Sequence, residues 1–181
     1  MRTINIVFLA AVIALSACSG GGNDAKKKEL NDQITKMEQE LFSSPEVSVT
    51  SDKANSIVML YSRYVSENPD DSLSSIYLFK SAEMFRAANN GKMAVKYFQR
   101  VIDEYPESEK VPVSYFLMGF VYENIISDMK EAEKYYKIYL EKYPNGEFAN
   151  DAAVLIENLG KSPEEMIKEF EEQSDTTKKP V

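Results

Sequence analysis

Histidine and tryptophan are absent from the 181 residues, and cysteine occurs once. Without histidine the chain has neither the commonest general base nor the commonest zinc ligand. One cysteine makes no internal disulfide and no thiolate metal cluster. Positive charge is in short supply: 21 Lys+Arg against 29 Asp+Glu leave a formal net charge of −8. Nucleic-acid binding draws most of its affinity from phosphate neutralisation, so no nucleic-acid partner is expected. The sequence holds no Walker loop, no Rossmann glycine pattern, no G-x-S-x-G elbow and no calcium-loop spacing. No catalytic residue, cofactor or metal is therefore assigned from it, and the expected class is non-catalytic. What remains is a binding protein of one domain, long enough to bury a core.

The N-terminal apolar run, Ile6 to Leu15, has ten residues. At about 1.5 Å rise per residue it is about 15 Å long, half of a bilayer core of about 30 Å. A short run behind Arg2 reads as the apolar region of a secretory signal. It ends in Leu15-Ser16-Ala17-Cys18, which resembles the lipobox of bacterial lipoproteins. That resemblance implies a signal peptide over 1–17 and lipidation of Cys18, with palmitate among the acyl chains. More than one acyl chain makes a stable anchor. Ser19 follows the cysteine where an inner-membrane protein would carry Asp, so the resemblance implies the outer membrane. A periplasm-facing placement is expected, with surface exposure left open. Residues 18–28, containing Gly20-Gly21-Gly22, are expected to form a flexible tether. Lys26-Lys27-Lys28 read as a solvated helix start, contact with anionic head groups being the other reading.

β-branched alternation is missing from the rest of the chain, and apolar residues recur at three and four, which predicts helices. Glu67-Asn68-Pro69, Glu104-Tyr105-Pro106 and Lys142-Tyr143-Pro144 share a context, and the prolines are 37 and 38 residues apart. A period of about 20–50 residues signals a helical solenoid. Between the prolines, Ala94, Phe98 and Val101 lie over Ala132, Tyr136 and Tyr139. Upstream, Leu78, Ala82 and Phe85 lie over Tyr115, Gly119 and Tyr122. In these residues the chain resembles the tetratricopeptide repeat (TPR) family. The fold implied is all-α, a short TPR-like α-solenoid of antiparallel helix pairs. The small residues Ala82, Ala94, Gly119 and Ala132 are expected to let paired backbones approach, with the aromatics filling the gaps. Pro106 and Pro144 are expected to end the second helix of each pair, and Asn89-Asn90-Gly91 to cap and turn the first.

Repeats are expected at about 29–70, 71–107 and 109–145, within a helical domain spanning 29–172. The first is loose. Its leading helix, 29–42, shows Leu30, Ile34, Met37 and Leu41 on one face, and a separate coiled-coil stalk remains an alternative reading. Capping helices are expected over 148–171. Phe148 to Leu159 would bury Ala152, Ala153, Leu155 and Ile156. Ser162-Pro163-Glu164-Glu165 reads as a capping box, and Met166, Ile167 and Phe170 would face the neighbouring helix. Residues 173–181 are expected to be a disordered tail.

Glu104, Glu107 and Glu109 read as solvated carboxylates, and Asp70-Asp71-Ser72 as a helix cap. Tyr135 and Tyr143 are expected between repeats, with Tyr136 and Tyr139 in the core. The resemblance implies a concave groove lined by the first helix of each pair. By family position the groove holds Ile76, Phe79, Glu83 and Arg86, then Val113, Phe116, Phe120, Glu123 and Asn124. Two readings of the phenylalanines stand: anchors for a peptide or helix, or ordinary core. The lipobox together with the repeats is similar to the lipoprotein of the outer-membrane β-barrel assembly machinery, and by repeat type to the periplasmic Tol–Pal-associated protein. This implies a membrane-anchored scaffold that binds envelope proteins or peptides. The alternative is a surface lipoprotein aiding nutrient or glycan capture.

Overall fold

The computed structural model describes residues 20–43, 50–162, 164–168 and 171. The signal segment 1–17, Cys18, Pro163, Phe170 and the tail 173–181 lie outside the described residues. The chain forms α1 (Gly20–Phe42), α2 (Ser51–Glu67), α3 (Ser72–Ala87), α4 (Gly91–Glu104) and α5 (Lys110–Val121). A π-turn (Tyr122–Ile126) extends α5, and α6 (Met129–Lys142) and α7 (Ala149–Asn158) follow. There is no strand among the described residues. Each helix packs on the next along the chain, giving the all-α solenoid expected.

The proline period appears as a repeated backbone conformation. Asn68, Tyr105 and Tyr143 end α2, α4 and α6 with φ of −137°, −135° and −133° and ψ of 57°, 60° and 58°. Each precedes a proline, whose ring drives the preceding residue out of the helical region. Each still donates its N–H to the carbonyl four back, and its own carbonyl accepts from Asp71, Ser108 or Gly146. Asp71 then caps α3, its Oδ1 accepting from the Leu73 N–H at 2.8 Å.

The turn inside each pair also repeats. Asn89 and Ser127 are left-handed, with φ of 55° and 61°. Asn90 and Asp128 follow as N-caps, accepting from Met93 and Glu131. Gly91 was expected as part of the turn, but it is the first residue of α4. Its small size matters because Ile125 and Ile126 press against it: a Cβ there would lie 2.7 Å from Ile126 Cγ1.

The unequal proline spacing has a local cause. Ala82 to Ala94 is twelve positions, and Gly119 to Ala132 is thirteen. The spans from each proline to the next small residue are the same in both repeats, so the extra residue lies between Gly119 and Ala132. The π-turn at Tyr122–Ile126 falls in that interval. It widens one turn by a residue and keeps α6 in register.

Leu30, Ile34 and Leu41 of α1 enter a continuous core with Ile57, Tyr61 and Tyr64 of α2 and Leu78, Ala82 and Phe85 of α3. α1 is thus the first helix of a pair. It begins at Gly20, nine positions before the Glu29 start expected, because Ala25 to Lys28 are good helix formers and Lys27 pairs with Asp71. A second core joins Phe116, Ala132, Tyr136, Tyr139 and Ala152. Gly119 lies against the Tyr136 ring, not simply between two backbones.

At the C-terminal end the burial differs from expectation. α7 buries Ala152 and partly covers Leu155 and Ile156, but Ala153 is exposed and Val154 is 56 % exposed. The capping box forms: the Ser162 N–H donates to Glu165 Oε2 at 2.7 Å, and the Glu165 N–H to Ser162 Oγ at 3.2 Å. Met166 and Ile167, expected against the neighbouring helix, are 38 % and 60 % exposed. No helix among the described residues is long and apolar enough to cross a membrane.

Candidate functional site

α1, α3 and α5 are the first helices of successive pairs. α3 meets α5 directly, whereas no two second helices pack over a comparable length among the described residues. The first helices therefore lie on the inner side of the solenoid, and its concave face runs over α3 and α5.

Two groove positions are bridged across these helices. Lys110 of α5 sets its Nζ 5.5 Å from the centre of the Phe79 ring, and Arg86 of α3 sets its guanidinium 6.0 Å from the Phe120 ring. Each helix lends a cation to the other's aromatic ring, a contact that gains about 0.5–1 kcal/mol at exposed sites. Arg86 is itself held by Glu83, Nε to Oε1 at 2.8 Å and Nη2 to Oε2 at 2.9 Å. That pairing raises the guanidinium pKa against the burial that lowers it. Phe79 also meets Phe98 edge-on, with ring centres 5.6 Å apart. Ile76, Phe79, Val113 and Phe120 are half-buried and keep part of their surface on this face.

Other expected groove residues are used elsewhere. Phe116 is buried: it stacks on Phe148 at 4.6 Å and 14° and packs against Tyr136 and Tyr139. Its neighbours come from α6 and the start of α7, so it is core and not a groove anchor. Glu123 accepts from the Tyr136 hydroxyl at 2.7 Å. Burial first, then this carboxylate, pushes the Tyr136 phenol far above the ordinary range. Asn124 is exposed and donates back to the Phe120 carbonyl. Tyr135 stacks on Tyr122 at 5.4 Å and Tyr143 lies beside Tyr115 and Tyr139, so these ring contacts are within the third repeat, not between repeats as expected.

α1 packs chiefly on α2 and reaches α3 through polar contacts. It holds the amino-terminal end of the inner face. Glu38 Oε1 accepts from the Tyr61 hydroxyl and from Lys80 Nζ, both at 2.7 Å. Asn31 accepts from the Tyr77 hydroxyl, and Lys27 pairs with Asp71.

Sequence reasoning missed a cleft of about 680 Å³ between the two inter-repeat turns, walled by Pro69, Tyr105 and Pro106 and floored by Ser75 and Ile76. Asp70, Glu107 and Glu109 stand at its rim. The Tyr105 hydroxyl donates to the Pro69 carbonyl at 3.0 Å and holds the two turns together. The signal was present in the period, since Asp70 and Glu107 each follow the repeat's proline. Among the described residues no group of His, Cys, Asp or Glu could hold a metal ion. The inner face offers apolar area bordered by paired charges, which suits contact with a polypeptide.

Residues 77–108 and 113–146 each match the family model described as Tetratricopeptide repeat. No curated protein matches the chain. The two matched segments take in most of α3 with α4 and most of α5 with α6, pairs that end on the same backbone conformation before proline, and tetratricopeptide repeats are protein-interaction modules. The chain is an all-α solenoid, two segments of which match the tetratricopeptide repeat.

Proposed function

We propose that the protein is a non-catalytic scaffold tethered to the outer membrane through Cys18, and that its inner face binds segments of envelope proteins, outer-membrane protein assembly being the setting. The observation that carries the binding part is the half-buried strip of Ile76, Phe79, Val113 and Phe120 on the concave side of two matched repeats. Partly exposed apolar side chains fixed on rigid helices are pre-organised, so a partner loses little side-chain entropy in the protein on docking. The tether rests on the Leu15-Ser16-Ala17-Cys18 sequence alone. Phe116 is left out of the binding strip.

In-cell photo-crosslinking from positions 76 and 120, followed by mass spectrometry, tests the binding face. Adducts to envelope proteins at both positions support the reading, and folded protein without adducts at either position refutes it. Metabolic labelling with an alkyne fatty acid tests the tether: label in the parent and none in Cys18→Ser is expected.

A further inference from the structure

We propose that α1 is a salt-releasable strap, which detaches from the solenoid as a unit while α3 to α6 stay folded and thereby uncovers the Tyr61–Tyr77 face. The release does not depend on the groove being a binding site.

The seam that holds α1 differs in kind from the others. Leu30, Ile34 and Leu41 are its buried apolar anchors. Met37 adds a partly buried apolar contact, and the polar contacts run down one stripe: Lys27 to Asp71, Asn31 to the Tyr77 hydroxyl, and Glu38 to the Tyr61 hydroxyl and Lys80. Positions 27, 31 and 38 fall on one helical face. Two of these contacts are ion pairs with partly exposed partners, 39 % and 18 % for Lys27 and Asp71, 40 % and 24 % for Lys80 and Glu38. Added salt screens such pairs, less strongly than it screens fully exposed ones.

The Tyr64 hydroxyl is buried beside the Lys27–Asp71 pair. Among the described residues α1 has α2 as its main helical neighbour.

Beneath α1 lies a platform of rings. Tyr61 stacks on Tyr77 at 5.1 Å and 15°, and Tyr64 meets Tyr77 edge-on at 4.8 Å. Removing α1 exposes Tyr61 and Tyr77 at the head of the inner face and lengthens it. The opposite end of the solenoid supplies an internal control. The strip Leu155, Ile156 and Leu159 of α7 and its C-cap packs on the second core by apolar contact, which salt does not weaken.

Hydrogen exchange with mass spectrometry on the full chain, at low salt and at molar sodium chloride, tests the proposal. Salt is expected to raise exchange several-fold in α1 while α3 and α7 hold or gain protection. Glu38→Gln keeps an acceptor for Tyr61 but drops the pair with Lys80. It is expected to raise α1 exchange at low salt and to reduce its salt dependence. Salt-independent protection of α1, or an equal rise in α1, α3 and α7, overturns the proposal. So does a Glu38→Gln variant whose α1 exchange matches the parent's.

Discussion

The ring of Tyr136 occupies the space that a side chain at Gly119 would need: a Cβ on Gly119 would stand 2.6 Å from Tyr136 Cδ1 and Cε1. Helix propensity alone makes Gly→Ala inside a helix favourable by about 1 kcal/mol. Overpacking against a buried ring costs about 1–3 kcal/mol. The ring is fixed by its bond to Glu123, so the steric term wins. Gly119→Ala is expected to lower stability in urea denaturation, and Gly119→Leu to lower it further. In a Tyr136→Leu background the sign should move toward stabilisation, which a double-mutant cycle reads directly.

Phe116 and Phe120 sit one helical turn apart and should behave oppositely. Phe116→Ala opens a cavity among Tyr136, Tyr139 and Phe148 and is expected to cost about 3–5 kcal/mol. Phe120→Ala removes a half-buried ring and is expected to cost about 1 kcal/mol. Equal urea midpoints for the two variants would contradict the assignment of Phe116 to the core.

Stability should fall at both ends of the pH scale through the α1 seam. Burial raises the Asp71 carboxyl, but the hydrogen bonds from Lys27 and the Leu73 N–H outweigh it and hold it below its ordinary value. A depressed carboxylate stabilises the fold above the unfolded value of about 3.9 and ceases to as pH falls through the folded value. At the alkaline end, burial first and then the Glu38 charge push the Tyr77 phenol up to about 12. A raised phenol stabilises the fold below the unfolded value of about 10 and ceases to as pH rises toward the folded one. Urea midpoints are expected to drop below pH 4 and again between pH 10 and 12. Tyr77→Phe should flatten part of the alkaline limb while costing about 1 kcal/mol at pH 7.

Asn90 and Asp128 occupy one place in successive repeats and cap α4 and α6 in the same manner. Each should lose about 1 kcal/mol on substitution by Ala. A large difference between Asn90→Ala and Asp128→Ala in the urea midpoint would show that the two turns are not equivalent.

Much of the architecture was legible in the sequence because it rests on local chemistry. The Pro69, Pro106 and Pro144 contexts set three identical helix ends, since a residue before proline leaves the helical region whatever its surroundings. Asp71 and the Ser162–Glu165 box cap helices through bonds spanning two and three residues. The resemblance to the tetratricopeptide repeat marked Leu78, Phe98, Tyr136 and Tyr139 as core by their place in the repeat, and all four are buried.

The site was less legible, for a physical reason. Phe79 and Phe116 hold the same place after their prolines, yet one keeps surface on the inner face and the other is sealed beneath Phe148. That difference comes from a helix about thirty residues downstream folding back, which no local pattern records. The extra residue of the third repeat was visible as an unequal spacing, but only packing against Gly91 shows it as a π-turn. The sequence by itself determined where helices start, stop and repeat, through backbone sterics and short-range hydrogen bonds. Tertiary structure alone decided which aromatic rings stay open, which are buried, and that α1 adds ion pairs and hydroxyl bonds to its buried apolar anchors, because those outcomes depend on neighbours distant in the chain.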